Sequence, residues 1–190
     1  MKIIFYVFIA ILVVGCATPL RDSPAQLKSM QSTHGIVMGS AVIKLRDDKV
    51  SMARSLENLA WYVVVKNISS SGVKSPDRSI RLMSDAVEVP IVAGLPEGTY
   101  EIQTFSEQGL EPNVSFNANV RFKVTAKTNT YIGRLVVTIP KEVSVLDSML
   151  FVSRPVDIFV EDAYDDFSSQ YSKVYTAIFS QGLVKGLMIE

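Results

Sequence analysis

Few residues in this chain have side chains suited to chemistry. Cys16 is the only cysteine and His34 the only histidine among 190 residues. Glu161, Asp162, Asp165 and Asp166 form a dense acidic group. A histidine general base needs a pocket and an orienting partner. His34 has neither a second histidine nor a motif around it, and is expected to be a solvated or capping residue. A zinc-type centre needs several His or Cys ligands, which the count excludes. The four carboxylates are weak candidates for a hard cation such as Ca²⁺, which takes oxygen ligands. The glycine and the alternating ligands of an EF-hand loop are missing. Acidic residues also suit the first turn of a helix through its dipole, with Asp162 as the cap. Gly-x-Ser-x-Gly, P-loop and dinucleotide fingerprints are absent from the sequence. No catalytic residue and no cofactor is therefore expected. The fold is then expected to position a non-catalytic surface, although its serines and carboxylates leave an enzyme open.

The thiol stands in a particular context. Lys2 is followed by an unbroken apolar run, Ile3 to Val14. As a helix this run rises roughly 18 Å, short of the ~30 Å hydrocarbon core, and it fits a signal peptide better than a membrane span. The run ends in Leu12-Val13-Val14-Gly15-Cys16. This stretch resembles a bacterial lipobox. The resemblance implies cleavage between Gly15 and Cys16 and attachment of acyl chains to Cys16. Each buried methylene of such a chain contributes about 0.8 kcal/mol, and several chains hold far better than one. Lipidation would also account for a single exported thiol with no disulfide partner. The residues after Cys16 are Ala17 and Thr18 rather than Asp. By the same resemblance the destination is the outer membrane facing the periplasm, with a Gram-positive cell surface as the alternative.

Residues 1–15 are thus expected to be a lipoprotein signal peptide. Residues 16–33 are expected to be the lipidated cysteine and a flexible tether. The tether has two prolines, scattered charge and no apolar period, and as a free chain spans roughly 20–25 Å. Formal net charge is zero, which leaves no electrostatic footprint for nucleic acid. The expected partners are the membrane, through Cys16, and another envelope protein.

From residue 34 the texture is β. Gly35 to Leu45 is a strand with two glycines that signal a bulge or bend. Trp61 to Ile68 is rich in aromatic and β-branched residues. Gly94 to Ile102 has the turn chemistry of a hairpin, with Pro96 and Gly98 at its tip. Val114 to Ala126 alternates apolar and polar residues without a miss, as a strand with one buried face does. Tyr131 to Ile139 is expected to be its partner strand. Near the C-terminus Tyr164, Phe167, Tyr171, Val174, Tyr175 and Ile178 recur at helical spacing. They predict one helix over about 162–181, with Gly182 as its terminator. The tyrosine stripe is expected to be core.

The predicted fold is mainly β: an antiparallel β-sandwich over 34–190 with one C-terminal α-helix. Leu95-Pro96-Glu97-Gly98-Thr99-Tyr100 and Thr130-Tyr131-Ile132-Gly133 resemble the hairpins of transthyretin-like, or carboxypeptidase-regulatory-like, sandwich domains. The resemblance implies an immunoglobulin- or transthyretin-type sandwich serving as a non-catalytic binding or structural module in the cell envelope. The function expected is interaction or scaffolding, with binding of a glycan, peptide or lipid fragment as the alternative.

Overall fold

The computed structural model describes residues 18–47, 53–69, 77–84, 87–107, 115–144 and 156–189. The apolar leader, Gly15 and Cys16 lie outside the described residues. Twelve strands and three short helices are described, in chain order. They are β1 (Thr18–Pro19), α1 (Pro24–Met30), β2 (Gly35–Arg46), β3 (Ala53–Ser55), β4 (Ala60–Asn67), β5 (Arg78–Met83), β6 (Val89–Leu95) and β7 (Gly98–Glu107). Then come β8 (Ser115–Val124), β9 (Asn129–Pro140), β10 (Glu142–Ser144), β11 (Asp157–Glu161), α2 (Tyr164–Tyr171), α3 (Thr176–Phe179) and β12 (Val184–Lys185).

The strands form two main sheets. The first runs β1-β5-β4-β7-β8; the second runs β11-β9-β2-β6, with β12 also paired to β9. A small ladder joins β3 to β10. One apolar core is shared by the two main sheets. Trp61, Val63, Ile80, Tyr100 and Phe122 from the first meet Val37, Ile91, Ile132 and Leu135 from the second. Aromatic rings anchor the first sheet, with Trp61 and Phe116 at 5.3 Å and Tyr100 and Phe122 stacked at 5.6 Å. Such pairs contribute about 0.5–1.5 kcal/mol beyond the area they bury.

The period-2 pattern of β8 is realised. Phe116, Val120, Phe122 and Val124 are buried, while Asn119, Arg121 and Lys123 are exposed. Its partner is not the expected one. β8 pairs antiparallel with β7, and the turn at 125–128 carries the chain into the other sheet. The turn at Pro96–Glu97 does the same, since β6 lies in the second sheet and β7 in the first. Both predicted hairpins are therefore crossings between sheets. The turn residues fix a reversal of the chain; burial decides on which sheet the next strand lands.

The sheets are also not purely antiparallel. β2 runs parallel to β9 from Ile36↔Asn129 to Arg46↔Pro140. Parallel strands covered on both faces read as continuous apolar runs. The first nine residues of β2 are all buried, and only Arg134 and Thr138 of β9 are not. The register slips between Met38 and Gly39, where Gly39 faces Gly133. Gly133 has φ +95°, and a Cβ there would lie 2.7 Å from Val160 Cγ1. Glycine is required at this bulge.

The stretch expected to be a flexible tether instead folds onto the domain. Thr18 and Pro19 pair parallel with Arg78 and Ser79 of β5. Arg21 then bridges Val92 of β6. α1 follows with a complete capping box: Ser23 and Gln26 each accept from the other's backbone N–H, and Pro24 opens the first turn. Its Leu27 is fully buried. The single C-terminal helix expected over 162–181 is two short helices, α2 and α3. Between them Thr176 Oγ1 donates to the carbonyls of Ser172 and Lys173. Hydroxyls that bind nearby backbone compete with continuous helix. Val174, expected on the packed face, is exposed.

Asp22 closes one side of this assembly. Its carboxylate accepts from Arg78 Nη2 at 2.8 Å and from the Gly94 N–H at 2.9 Å. The pair is 7% and 10% exposed at its side chains. Removing one partner of a buried pair leaves an uncompensated charge. Asp22→Ala is expected to lower stability by about 3–5 kcal/mol, with Asp22→Asn milder because it keeps an acceptor for Gly94. Urea unfolding of the two variants beside the parent checks both.

Candidate functional site

Of the residues singled out by type, the acidic group and His34 are described, while Cys16 lies outside the described residues. The acidic group opens onto Arg134, at the middle of β9. Arg134 is held by Glu88 just before β6 at 3.1 Å, by Glu161 at the end of β11 at 3.4 Å, and by Asp166 on α2 at 3.3 Å. Burial works against its charge, but bonding to Glu88, with Asp166 and Glu161 behind it, raises its pKa further. Asp162 turns the other way, to Lys185 of β12 at 2.8 Å. The bond to Lys185 holds its carboxyl below the ordinary range. Asp165 is exposed. Glu161 and Asp166 thus share Arg134, Asp162 pairs with Lys185, and Asp165 faces solvent. Among the described residues no three His, Cys, Asp or Glu side chains converge as metal ligands do.

The expected helix cap is shifted by one residue. Ala163 occupies the N-cap of α2 and offers no side-chain bond of its own. Asp162 accepts the Tyr164 N–H at 3.4 Å. The phenol oxygen of Tyr131, on β9, accepts the Ala163 N–H at 3.0 Å. Burial pushes this phenol up to about 12, so it stays neutral. Tyr131 also stacks edge-on against Tyr164 at 5.3 Å. With Phe167, Tyr175, Ile178, Leu27, Ile36, Met38 and Val92 it forms a second apolar cluster on the outer face of the second sheet. Tyr164 and Tyr171 pack against its margin. Of the tyrosine stripe, Tyr175 is core, while Tyr164 and Tyr171 are only partly buried. His34 sits where α1 leads into β2, with Thr33 Oγ1 2.7 Å from its Nδ1.

A second region was not visible as a motif. After β12 the chain continues as a strap across the other side of the two sheets. Gly186 N–H bonds to Tyr131 O and Met188 N–H to Ile132 O, both on β9. Ile189 then exchanges two backbone bonds with Arg121 of β8, at 2.7 and 2.8 Å. Met188 points into the core, while Leu187 and Ile189 are exposed at 39% and 66%. Between strap and β8 lies an open groove of about 310 Å³, lined by Thr99, Phe122, Gly186, Leu187 and Ile189 with Arg121 and Lys123 beside them. Apolar residues rimmed by polar ones mark interaction surfaces. The sequence cue is the apolar tail 183–189, which is expected to pack on the domain as a short strand or extended segment and does so as β12 and the strap.

Arg121 is tied to the first sheet. Its Nε lies 2.7 Å from Glu101 Oε1, and Gln103 Nε2 donates to the other oxygen at 2.6 Å. These bonds, the Gln103 one first, hold the Glu101 carboxyl below its ordinary value.

No family model matches this chain, and neither a curated protein nor a solved structure is similar to it. The site therefore rests on its own geometry.

Two measurements check that geometry. Tyr131→Phe removes the acceptor for Ala163 N–H and is expected to cost about 1–2 kcal/mol. The loss should appear as faster amide exchange at the start of α2. The lowered pKa of Glu101 means that the folded state binds its proton less readily than the unfolded state. Its contribution is therefore present above the unfolded pKa, about 4.3, and lost as pH falls through the lower folded value. In Glu101→Gln, the acid branch of the stability–pH curve below about pH 4.5 should be flatter than in the parent.

Proposed function

We propose that this chain is a bacterial envelope lipoprotein, anchored by acyl chains on Cys16, whose β-sandwich domain is a non-catalytic interaction or scaffolding module. The observation that carries the anchor is Leu12-Val13-Val14-Gly15-Cys16 at the end of an apolar run opened by Lys2. Cleavage falls between Gly15 and Cys16. Ala17 and Thr18 favour the outer membrane, with the domain facing the periplasm.

Two shared-core sheets with aromatic anchors are compatible with a transthyretin-like sandwich. The parallel β2–β9 pair and the sheet-crossing turns make it at most a variant of that type. An interaction role is supported by the apolar residues Val184 on β12 and Leu187 and Ile189 on the strap after it, all exposed. A ligand-binding role for a glycan, peptide or lipid fragment is the second reading. The groove of about 310 Å³ beside Arg121 and Lys123 supports it, at the small end of the range for ligand sites.

Cys16→Ser is expected to leave the domain folded by circular dichroism but move it from the membrane to the soluble fraction. Metabolic labelling with an alkyne fatty acid should mark the parent and not the variant. Retention in the membrane without acylation would refute the anchor. Crosslinking of the parent in cells, read by mass spectrometry, separates the two roles. A reproducible protein partner lost in Leu187→Glu supports scaffolding; a co-purifying small molecule lost in the same variant supports ligand binding.

A further inference from the structure

Resting on the lipoprotein reading, we infer that the domain is seated directly on the bilayer rather than suspended above it. The end that carries Ile68, Thr99 and the 125–128 turn faces the lipid headgroups. The argument is one of chain length. Thr18 already pairs with Arg78, and Leu20 N–H bonds to Ser79 O at 2.7 Å. Cys16 is the second residue before Thr18. Two residues reach at most about 7 Å. The headgroup layer on each side of a bilayer is itself roughly 5–8 Å deep. An anchor on Cys16 therefore leaves no clearance between membrane and domain.

The direction of β1 selects the face. β1 runs parallel to β5, so the chain enters the domain where β5 begins. The same end holds the last residues of β4, the first of β7 and the last of β8. Ile68 N–H bonds to Thr99 O, and Thr99 stands opposite Lys123. Ile68 is 40% exposed. Glu97, Lys123 and Lys127 are also exposed here. Their charges are mixed, so the covalent link rather than net charge sets the orientation. Glu57 and Lys141 lie at the opposite end, where Leu56 N–H bonds to Lys141 O. The eight residues of β4 separate the two ends by about 25 Å.

The test uses the full, acylated protein in phosphatidylcholine vesicles that contain a lipid with a quencher at the headgroup. Ile68→Cys and Glu57→Cys are each labelled with a fluorophore, and circular dichroism checks their folding. Quenching is expected to be several-fold stronger at 68 than at 57. Equal quenching, or stronger quenching at 57, would overturn the inference. A flexible Gly-Ser insert of about ten residues between Ala17 and Thr18 spans roughly 16–19 Å. It should collapse the difference, and an unchanged difference with the insert would show that the short link does not set the orientation. Cys16→Ser in the same vesicles separates the premises. If it stays bound, the anchor reading fails; if it is released while the parent shows no difference between 57 and 68, only the seating fails.

Discussion

A single carboxylate joins the two halves of this molecule. Asp22 takes a charged bond from Arg78 in one sheet and a backbone bond from Gly94 in the other. Apolar contact between stacked sheets fixes their separation but is tolerant of sliding. A buried ion pair with both ends bonded has a narrow geometry, because any displacement strands a charge away from water. The short segment that carries Asp22 uses its backbone in the same way. Leu20 donates to Ser79 and accepts from Val92, and Asp22 donates to Val92, so the segment bonds to both sheets.

The far side of the core is closed by the other end of the described chain. There Met188 is buried, and Ile189 exchanges backbone bonds with Arg121 of β8. β8 is an edge strand of the first sheet, and open edges are prone to pairing with other chains. The strap occupies that edge at one position, beside the groove. The groove thus lies where the fold manages an exposed edge.

Much of the strand content was legible in the sequence, and little of its pairing was. Val114 to Ala126 announced a strand with one buried face because side chains alternate along any extended chain. Nothing in Leu95-Pro96-Glu97-Gly98 distinguishes a hairpin from a crossing between sheets, since local turn chemistry is the same for both. The continuous burial of β2 and β9 was readable as apolar runs, but their parallel alignment is a tertiary fact. α1 was legible and missed: Ser23-Pro24-Ala25-Gln26 is a capping-box signature with proline at the first helical position. Scattered charge and a second proline, Pro19, argue for a tether in the same stretch. The acidic group was visible as a cluster, whereas its division between Arg134 and Lys185 depends on strands far away in sequence. The apolar tail had no period to read.

The parallel register of β2 and β9 bears on how this protein comes to be folded. Ile36 pairs with Asn129, so the central ladder joins residues roughly ninety positions apart. Such contacts close long loops before they gain any stabilisation, and chains rich in them fold in milliseconds to seconds rather than microseconds. A growing chain cannot complete this ladder until β9 has emerged. Delayed collapse is a hazard for a protein that folds where it is made. In this chain it leaves β2 without its parallel partner until residues 129–140 have been made.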